Sequence, residues 1–162
     1  MKKKMRRAEK TITDSFTIDA ILNSSEICRI AFCDNQWPYI VPMNFAHENG
    51  FIYLHSAREG RKIDIINENN RVCFEIENEC EILPSENDCS WGMKYQSLIG
   101  FGFATLEDDY IEKKKALDII MRKYSSKYSS TKDSFIYTKK SIDSIIIVKI
   151  EIMDISGKIS GY

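Results

Sequence analysis

The residues best suited to chemistry in this chain lie within residues 50–70. A short β run over residues 51–54 ends in a polar pair, His55 and Ser56, with Ala57 beyond it. A loop follows with Gly60 at its bend, and Arg61 and Lys62 then open a short helix. The inward face of that helix would hold Ile63 and Ile66, with Ile65 the next candidate. Such a strand–turn–helix junction suits a phosphate, because the free N–H groups of the first turn and the positive end of the helix dipole point the same way. Ser56 adds a hydroxyl donor and Arg61 a planar, bidentate fork. An Arg-Lys pair at a helix start is also the pattern of an ordinary solvated face, so the reading depends on its surroundings. His55 brings the side chain type that most readily changes charge near neutral pH, which makes it the candidate proton donor. The plainer role for it is an imidazole that only hydrogen-bonds its neighbours.

These residues need elements to hold them. A helix is expected within residues 11–23, capped by Thr13 or Asp14, with Ile18, Ile21 and Leu22 as its apolar stripe. Ile27–Cys33 alternates as a strand, with Asp34, Asn35 and Gln36 as a turn after it. A second strand runs over residues 38–45. Pro42 in its middle cannot donate to a ladder, so it marks an edge, a bulge or a strand end. Asn49-Gly50 is a hairpin signal leading into the strand that carries His55. Residues 71–77 are rich in β-formers. Residues 79–93 are polar and irregular and read as a long loop carrying Trp91. Residues 94–106 form a long strand whose Gly100 and Gly102 suggest bulges or a tight bend. Asp108 or Asp109 starts a helix with Leu117, Ile120, Met121 and Tyr124 on one face. Residues 125–132 read as a Ser/Lys/Thr-rich loop, and residues 144–155 as the last strand. The short connections favour antiparallel pairing over a doubly wound parallel sheet. The expected fold is therefore mainly β with flanking helices, as a closed or nearly closed antiparallel barrel.

Composition narrows the partners. The chain has 162 residues, which fits one domain, 1–162, able to bury a core. A net charge of −1 gives no reason to expect nucleic acid or an anionic membrane as the main partner. Six of the 23 Lys and Arg residues fall in residues 1–10, a basic tail that is either mobile or in contact with a partner. No apolar run approaches the ~20 residues that span a bilayer, and no apolar segment follows the basic start. The five cysteines, 28, 33, 73, 80 and 89, form an odd set without CxxC spacing, which implies reduced thiols and a cytoplasmic protein. For Cys80 and Cys89 the default expectation is a buried, inert thiol. Two histidines and no tight Cys/His cluster argue against a structural zinc. His47 is expected to face solvent beside its hairpin.

Several segments taken together carry a resemblance. They are Met5-Arg6-Arg7; Pro-Tyr-Ile-Val-Pro-Met-Asn-Phe at 38–45; Tyr-Leu-His-Ser-Ala followed after two residues by Gly-Arg-Lys at 53–62; Asn-Asn-Arg-Val-Cys-Phe-Glu at 69–75; Tyr-Gln-Ser-Leu-Ile-Gly-Phe-Gly-Phe-Ala at 95–104; and Gly157-Lys158. In this order and spacing the chain resembles the nitroimidazole-resistance proteins, within the pyridoxamine 5′-phosphate oxidase-like FMN-binding split barrels. The resemblance implies a homodimer with FMN held at the interface. It implies Arg61 and Lys62 as phosphate ligands, and Ser56 and Ala57 along the phosphate or ribityl chain. Pro42, Met43 and Asn44, with Val41, would lie along the flavin ring, and Ser97, with Tyr95 or Gln96, would reach the cofactor from the long strand. His55 would sit beside the flavin as a catalytic group. Arg6 and Arg7 would clamp the partner or the FMN. The implied activity is FMN-dependent reduction of a small organic acceptor such as a nitroimidazole. The alternative is a non-catalytic flavin-binding or haem-binding split barrel. The ending over residues 156–162 lacks the further basic residues that pyridoxamine-phosphate oxidases use for their substrate, so the resemblance does not extend to that substrate.

Overall fold

Alternation of apolar and polar side chains builds most of this molecule. In Ile27–Cys33, Cys28, Ile30 and Phe32 are buried while Ile27, Arg29 and Cys33 are exposed, the period-2 pattern of a strand with one face on a core. The computed structural model describes residues 5–34, 37–126 and 134–162. Within them the elements are β1 (Thr11–Ile12), α1 (Ser15–Ser24), β2 (Ile27–Cys33), β3 (Pro38–Asn44), β4 (Ala46–Glu48), β5 (Phe51–Ala57), α2 (Arg61–Glu68), β6 (Arg71–Leu83), β7 (Gly92–Glu107), α3 (Tyr110–Ser125), α4 (Lys139–Asp143) and β8 (Ile145–Ser160). Part of the expected turn at Asp34, and most of the expected loop over 125–132, lie outside the described residues.

Every strand pairing is antiparallel, in the order β3-β2-β6-β7-β8-β5-β4, with β1 added to β8. The two ends of this path, β3 and β4, are separated in sequence only by Phe45. One residue therefore ties the opposite edges of the sheet together, and the sheet must curl. Phe45 is fully buried, its N–H donates to the Tyr124 hydroxyl at 2.9 Å, and that hydroxyl donates to the carbonyl of Glu26 at 2.6 Å. Curling stops short of closure: among the described residues no ladder joins β3 to β4 or β5. The expected barrel is corrected to an open, curled antiparallel sheet. Edge strand β3 carries Pro38 and Pro42, which lack the donors a closing ladder would use.

The inside of the curl holds Ile30, Phe32, Ile52, Leu54, Phe74, Leu98, Val148 and Ile150. Helix α1 adds Ile21 and Leu22, and α2 adds Ile63, Ile65 and Ile66. Asp14 caps α1 by accepting from the Thr17 N–H at 2.7 Å. The Asn49-Gly50 turn has both residues at positive φ, 52° and 80°, the geometry expected of a tight hairpin. Gly100 is required by close packing, since a Cβ there would meet the Phe74 ring at 2.0 Å. Beyond Phe101 the β7–β8 register shifts at Gly102, a bulge-type irregularity and one of the two features expected of the glycines.

Two expectations about loops and helices change. The expected loop over 79–93 is strand at both ends: after an irregularity at Asn78/Glu81, β6 and β7 stay paired through Glu81–Lys94, Ile82–Met93 and Leu83–Gly92, and residues 84–91 make the connection. This arm is largely exposed on both faces, so its sequence lacks the alternation that marks a buried strand. Trp91 lies where the arm turns and is exposed. On α3 the buried residues are Lys113, Ala116 and Ile120, while Met121 is exposed. Lys113 is 2% exposed, with its ammonium donating to Asp108 Oδ1 at 2.9 Å and the Ile145 carbonyl at 3.1 Å. A long aliphatic stem capped by a satisfied cation can enter a core in this way, and a hydrophobic-stripe reading passes over it.

Candidate functional site

Strand β5 delivers the central residues, and its pleat divides them. Ile52, Leu54 and Ser56 face the core, whereas Phe51, Tyr53, His55 and Ala57 face outward. His55 pairs with Ile147 of β8 and is exposed. Ser56 is buried, and its hydroxyl donates to the Ala57 carbonyl at 2.9 Å. The expected Ser56 donor is thus engaged inside the fold, and His55 is the side chain of that pair that faces outward. The strand runs three residues further than its apolar stretch because Ile145, Ile146 and Ile147 of β8 pair with Ala57, Ser56 and His55.

The loop after β5 is pinned by Arg58. Its guanidinium grips Asp108 with both nitrogens at 2.5 Å and reaches the carbonyls of Asp143 and Ile145. Asp108 is held well below the usual carboxylate range, first by Arg58 and then by Lys113. It therefore differs from its neighbour Asp109, which caps α3 by accepting from the N–H groups of Ile111 and Glu112. Gly60 then turns the chain at φ 118°, a backbone conformation that favours glycine.

At α2 the helix starts uncapped. Asp14, Asp109 and Thr138 cap α1, α3 and α4 with side-chain oxygens, but Gly60 has none to give. The Gly60 carbonyl accepts from Ile63 and Asp64, and the first N–H groups of the helix keep their donors. Arg61 and Lys62 stand at this terminus. Arg61 donates to Asp34 Oδ2 at 2.8 Å and 3.2 Å, with its guanidinium 4.6 Å from the centre of the Tyr39 ring. Lys62 has no ion pair among the described residues. Asp34 and Tyr39 are site residues that sequence reading missed, since nothing in one dimension ties them to Arg61.

Strand β3 presents Pro42 and Asn44 on its exposed face, while Met43 packs against the core. β3 and β5 approach each other across the gap in the sheet, so the proline strand lies near the His55 strand. Ser97 is placed elsewhere. It faces outward on β7, pairs with Lys158 of β8, and lines a cleft with Arg6, Arg7, Lys10 and Tyr95. His55 pairs with Ile147 and Ser97 with Lys158, so eleven residues of β8 separate them, up to about 36 Å at ~3.3 Å per residue. The two residues therefore sit toward opposite ends of β8.

The outward face between these sets carries an apolar row beside an ion-paired one. Cross-strand register aligns Ile40, Ala31, Cys73 and Phe101 in one row, with Pro42, Arg29, Glu75 and Ile99 beside it. Ile40 is 60% exposed, Phe101 53% and Ile99 46%. His47 is half-buried rather than solvent-facing, and burial lowers its pKa. Cys80 and Cys89 are exposed, contrary to the expectation of buried thiols, because both sit on or beside the projecting arm. No group of three or more His, Cys, Asp or Glu residues suited to a metal occurs among the described residues. No helix among them is long and apolar enough to cross a membrane.

Comparison with known proteins places this geometry. Residues 14–159 match the model of the pyridoxamine 5′-phosphate oxidase family. The chain belongs to that family. A candidate 5-nitroimidazole antibiotic resistance protein of Bacteroides thetaiotaomicron has a crystal structure with 34% sequence identity and a TM-score of 0.78, over 91% of this chain and 85% of that one. The FAD and haem binding protein of Mycobacterium smegmatis shares the fold at 15% identity, with a TM-score of 0.83 over 94% of this chain and 74% of that one. A flavocytochrome of Azotobacter vinelandii does so at 19% identity, with a TM-score of 0.80 over 98% and 72%. An uncharacterized curated protein of Rhizobium meliloti is 34% identical over 56 residues, and the match spans 35% of this chain and 36% of that protein.

Proposed function

We propose that this member of the pyridoxamine 5′-phosphate oxidase family is an FMN-dependent oxidoreductase that works as a homodimer and reduces small organic acceptors, nitroimidazoles among them. The observation that carries the reading is the uncapped start of α2, where free N–H groups meet Arg61 and Lys62 next to the strand bearing His55. That set of donors fits a phosphate monoester, which carries close to two negative charges near neutral pH. Gly60 leaves room there, since a Cβ on it would meet nothing within 4 Å. The likeness to the Bacteroides protein supports the nitro-compound acceptor.

Arg61 and Lys62 would fix the phosphate, and Tyr39 and Asp34 would hold the Arg61 fork in place. Pro42 and Asn44 would give the ring a flat outer wall with few competing donors. When bound, FMN supplies the redox chemistry, and the protein supplies position and electrostatics. His55, outward-facing and exposed, would pass a proton to the acceptor. The apolar row of Ile40, Ala31, Cys73 and Phe101 supports a second copy as the cover for this face, which would also bring one chain's Ser97 side toward the other chain's α2.

Steady-state reduction of a nitroimidazole with dithionite as donor tests the activity; turnover no faster than free FMN at equal concentration sinks it. His55→Gln should lower kcat by ~10²-fold or more while leaving the FMN dissociation constant within about threefold. Light scattering at micromolar concentration should give the mass of a dimer, and Phe101→Lys should give that of a monomer. A wild-type monomer would contradict the shared site.

A further inference from the structure

The β5–β8 ladder ends at Ala57 and Ile145. Beyond it the chain reaches the first turn of α2 through Arg58, Glu59 and Gly60. Helix α2 itself is seated from behind, by Ile63, Ile65 and Ile66 in the core. Its approach depends on one side chain: among the described residues, Arg58 makes every side-chain hydrogen bond of this loop. Arg58 Nη1 and Nη2 each donate to one oxygen of Asp108 at 2.5 Å, and Nη1 also reaches the carbonyls of Asp143 and Ile145 at 3.3 and 3.4 Å. Asp108 is fixed in turn, because its Oδ1 also accepts from Lys113 Nζ at 2.9 Å, and buried Lys113 donates to the same Ile145 carbonyl at 3.1 Å. A single loop side chain is therefore locked to the β7–α3 junction and to the α4–β8 junction.

The arginines on either side of Glu59 and Gly60 are thus held differently. Arg61 donates Nε and Nη2 to one oxygen of Asp34, which has no other ion pair among the described residues. An incoming phosphate can take that fork. Arg58 has both Nη groups on a carboxylate that a buried ammonium also holds, so it is not free to turn to a ligand. The Arg58–Asp108 pair adds little stability by itself, because its side chains are 44% and 49% exposed. What it fixes is direction, since a planar guanidinium bound through two hydrogen bonds orients the chain that carries it. We infer that Arg58 is a positioning residue for the phosphate seat: clamped by Asp108, it orients the approach to α2 and so raises affinity for the phosphorylated flavin without touching it. The inference rests on the proposed seat at Arg61 and Lys62. It gives the two carboxylates opposite signs, with Asp34 competing for the phosphate's partner and Asp108 supporting the seat.

The test titrates the purified full chain, at a temperature well below its unfolding, with FMN and with riboflavin, which has the same ring and ribityl chain but no phosphate. Arg58→Gln should weaken FMN roughly tenfold and leave riboflavin within about twofold, the scale on which loss of an outer support acts at other sites. Arg58→Lys keeps the charge but not the fork, and should lose FMN as Arg58→Gln does. Asp108→Asn should weaken FMN too, and adding Arg58→Gln to it should cost little more, because both changes undo one clamp. Rising salt should weaken FMN equally steeply in wild type and Arg58→Gln, whereas Arg61→Ala with Lys62→Ala should flatten that dependence. Tighter FMN binding in Asp108→Asn would overturn the inference, since a freed Arg58 would then be a phosphate ligand. Full FMN affinity in Arg58→Lys would overturn it in favour of charge alone, and an equal loss of riboflavin in favour of a general effect on the fold. If Arg61→Ala with Lys62→Ala weakens FMN and Arg58→Gln does not, this inference fails and the seat stands. If none of these variants changes FMN affinity, the seat at α2 fails with it.

Discussion

Replacing Arg61 and Lys62 together by alanine should weaken FMN binding by roughly 10²–10³-fold. The estimate comes from what each cation does in the ligand-free chain. Lys62 has no carboxylate partner among the described residues, so its bond to a phosphate is a full gain of ~1.5–3 kcal/mol. Arg61 already donates to Asp34 at 2.8 Å and 3.2 Å. A phosphate must share or displace that carboxylate, so Arg61 contributes about 1.5 kcal/mol, the lower end of the range. The sum of about 3–4.5 kcal/mol corresponds to the stated loss at ~1.4 kcal/mol per tenfold. The same reasoning fixes the sign of a third variant. Asp34→Asn frees the Arg61 fork and should tighten FMN, by up to about fivefold, since an ion pair as exposed as this one contributes ~0–1 kcal/mol. Flavin fluorescence during titration reads all three. A double variant within threefold of wild type would show that the phosphate is not at α2. Weaker binding in Asp34→Asn would show that Asp34 positions Arg61 and does not compete for it.

Other consequences concern the fold and its titratable groups. Gly100→Ala forces a Cβ to 2.0 Å from the Phe74 ring and should destabilise the chain by at least ~1–3 kcal/mol in urea denaturation, with partial recovery in the double variant carrying Phe74→Leu; an unchanged midpoint would refute the close packing. Burial pushes the Cys28 thiol up to about 12, so a thiol reagent near pH 8 should modify exposed Cys33 and Cys89 quickly, Cys80 more slowly because desolvation and Glu77 raise its thiol, and leave Cys28 untouched until the protein unfolds. Asp108 is held below the usual carboxylate range in the folded chain, so the stability it supplies is present above its unfolded pKa of ~3.9 and is lost as pH falls further toward its folded value. Asp108→Asn should therefore lower Tm most near neutrality, with the gap to wild type closing below about pH 4. A gap that widened in acid would reverse the sign of this linkage.

The sequence by itself determined a good deal, wherever the signal is local. The strand Ile27–Cys33, the Asn49-Gly50 hairpin, the Asp14 cap and the inward isoleucines of α2 follow from alternation, turn chemistry and capping, all of which act within a few residues. The Gly60-Arg61-Lys62 junction was legible for the same reason, and of the edge, bulge or strand end that Pro42 allowed, the sheet shows an edge. The tertiary structure decided what depends on partners distant in sequence. The β6–β7 arm is strand because its two halves pair with each other, although neither is buried enough to alternate. Whether the sheet closes depended on how far β3 and β4 curl around Phe45, which no periodicity reports. The pleat turned Ser56 inward and His55 outward, and register alone set Ser97 beside Lys158 and away from His55. Asp34 and Tyr39 at Arg61, and Asp108 at Arg58, meet across separations that only folding brings within hydrogen-bond or ring-stacking reach.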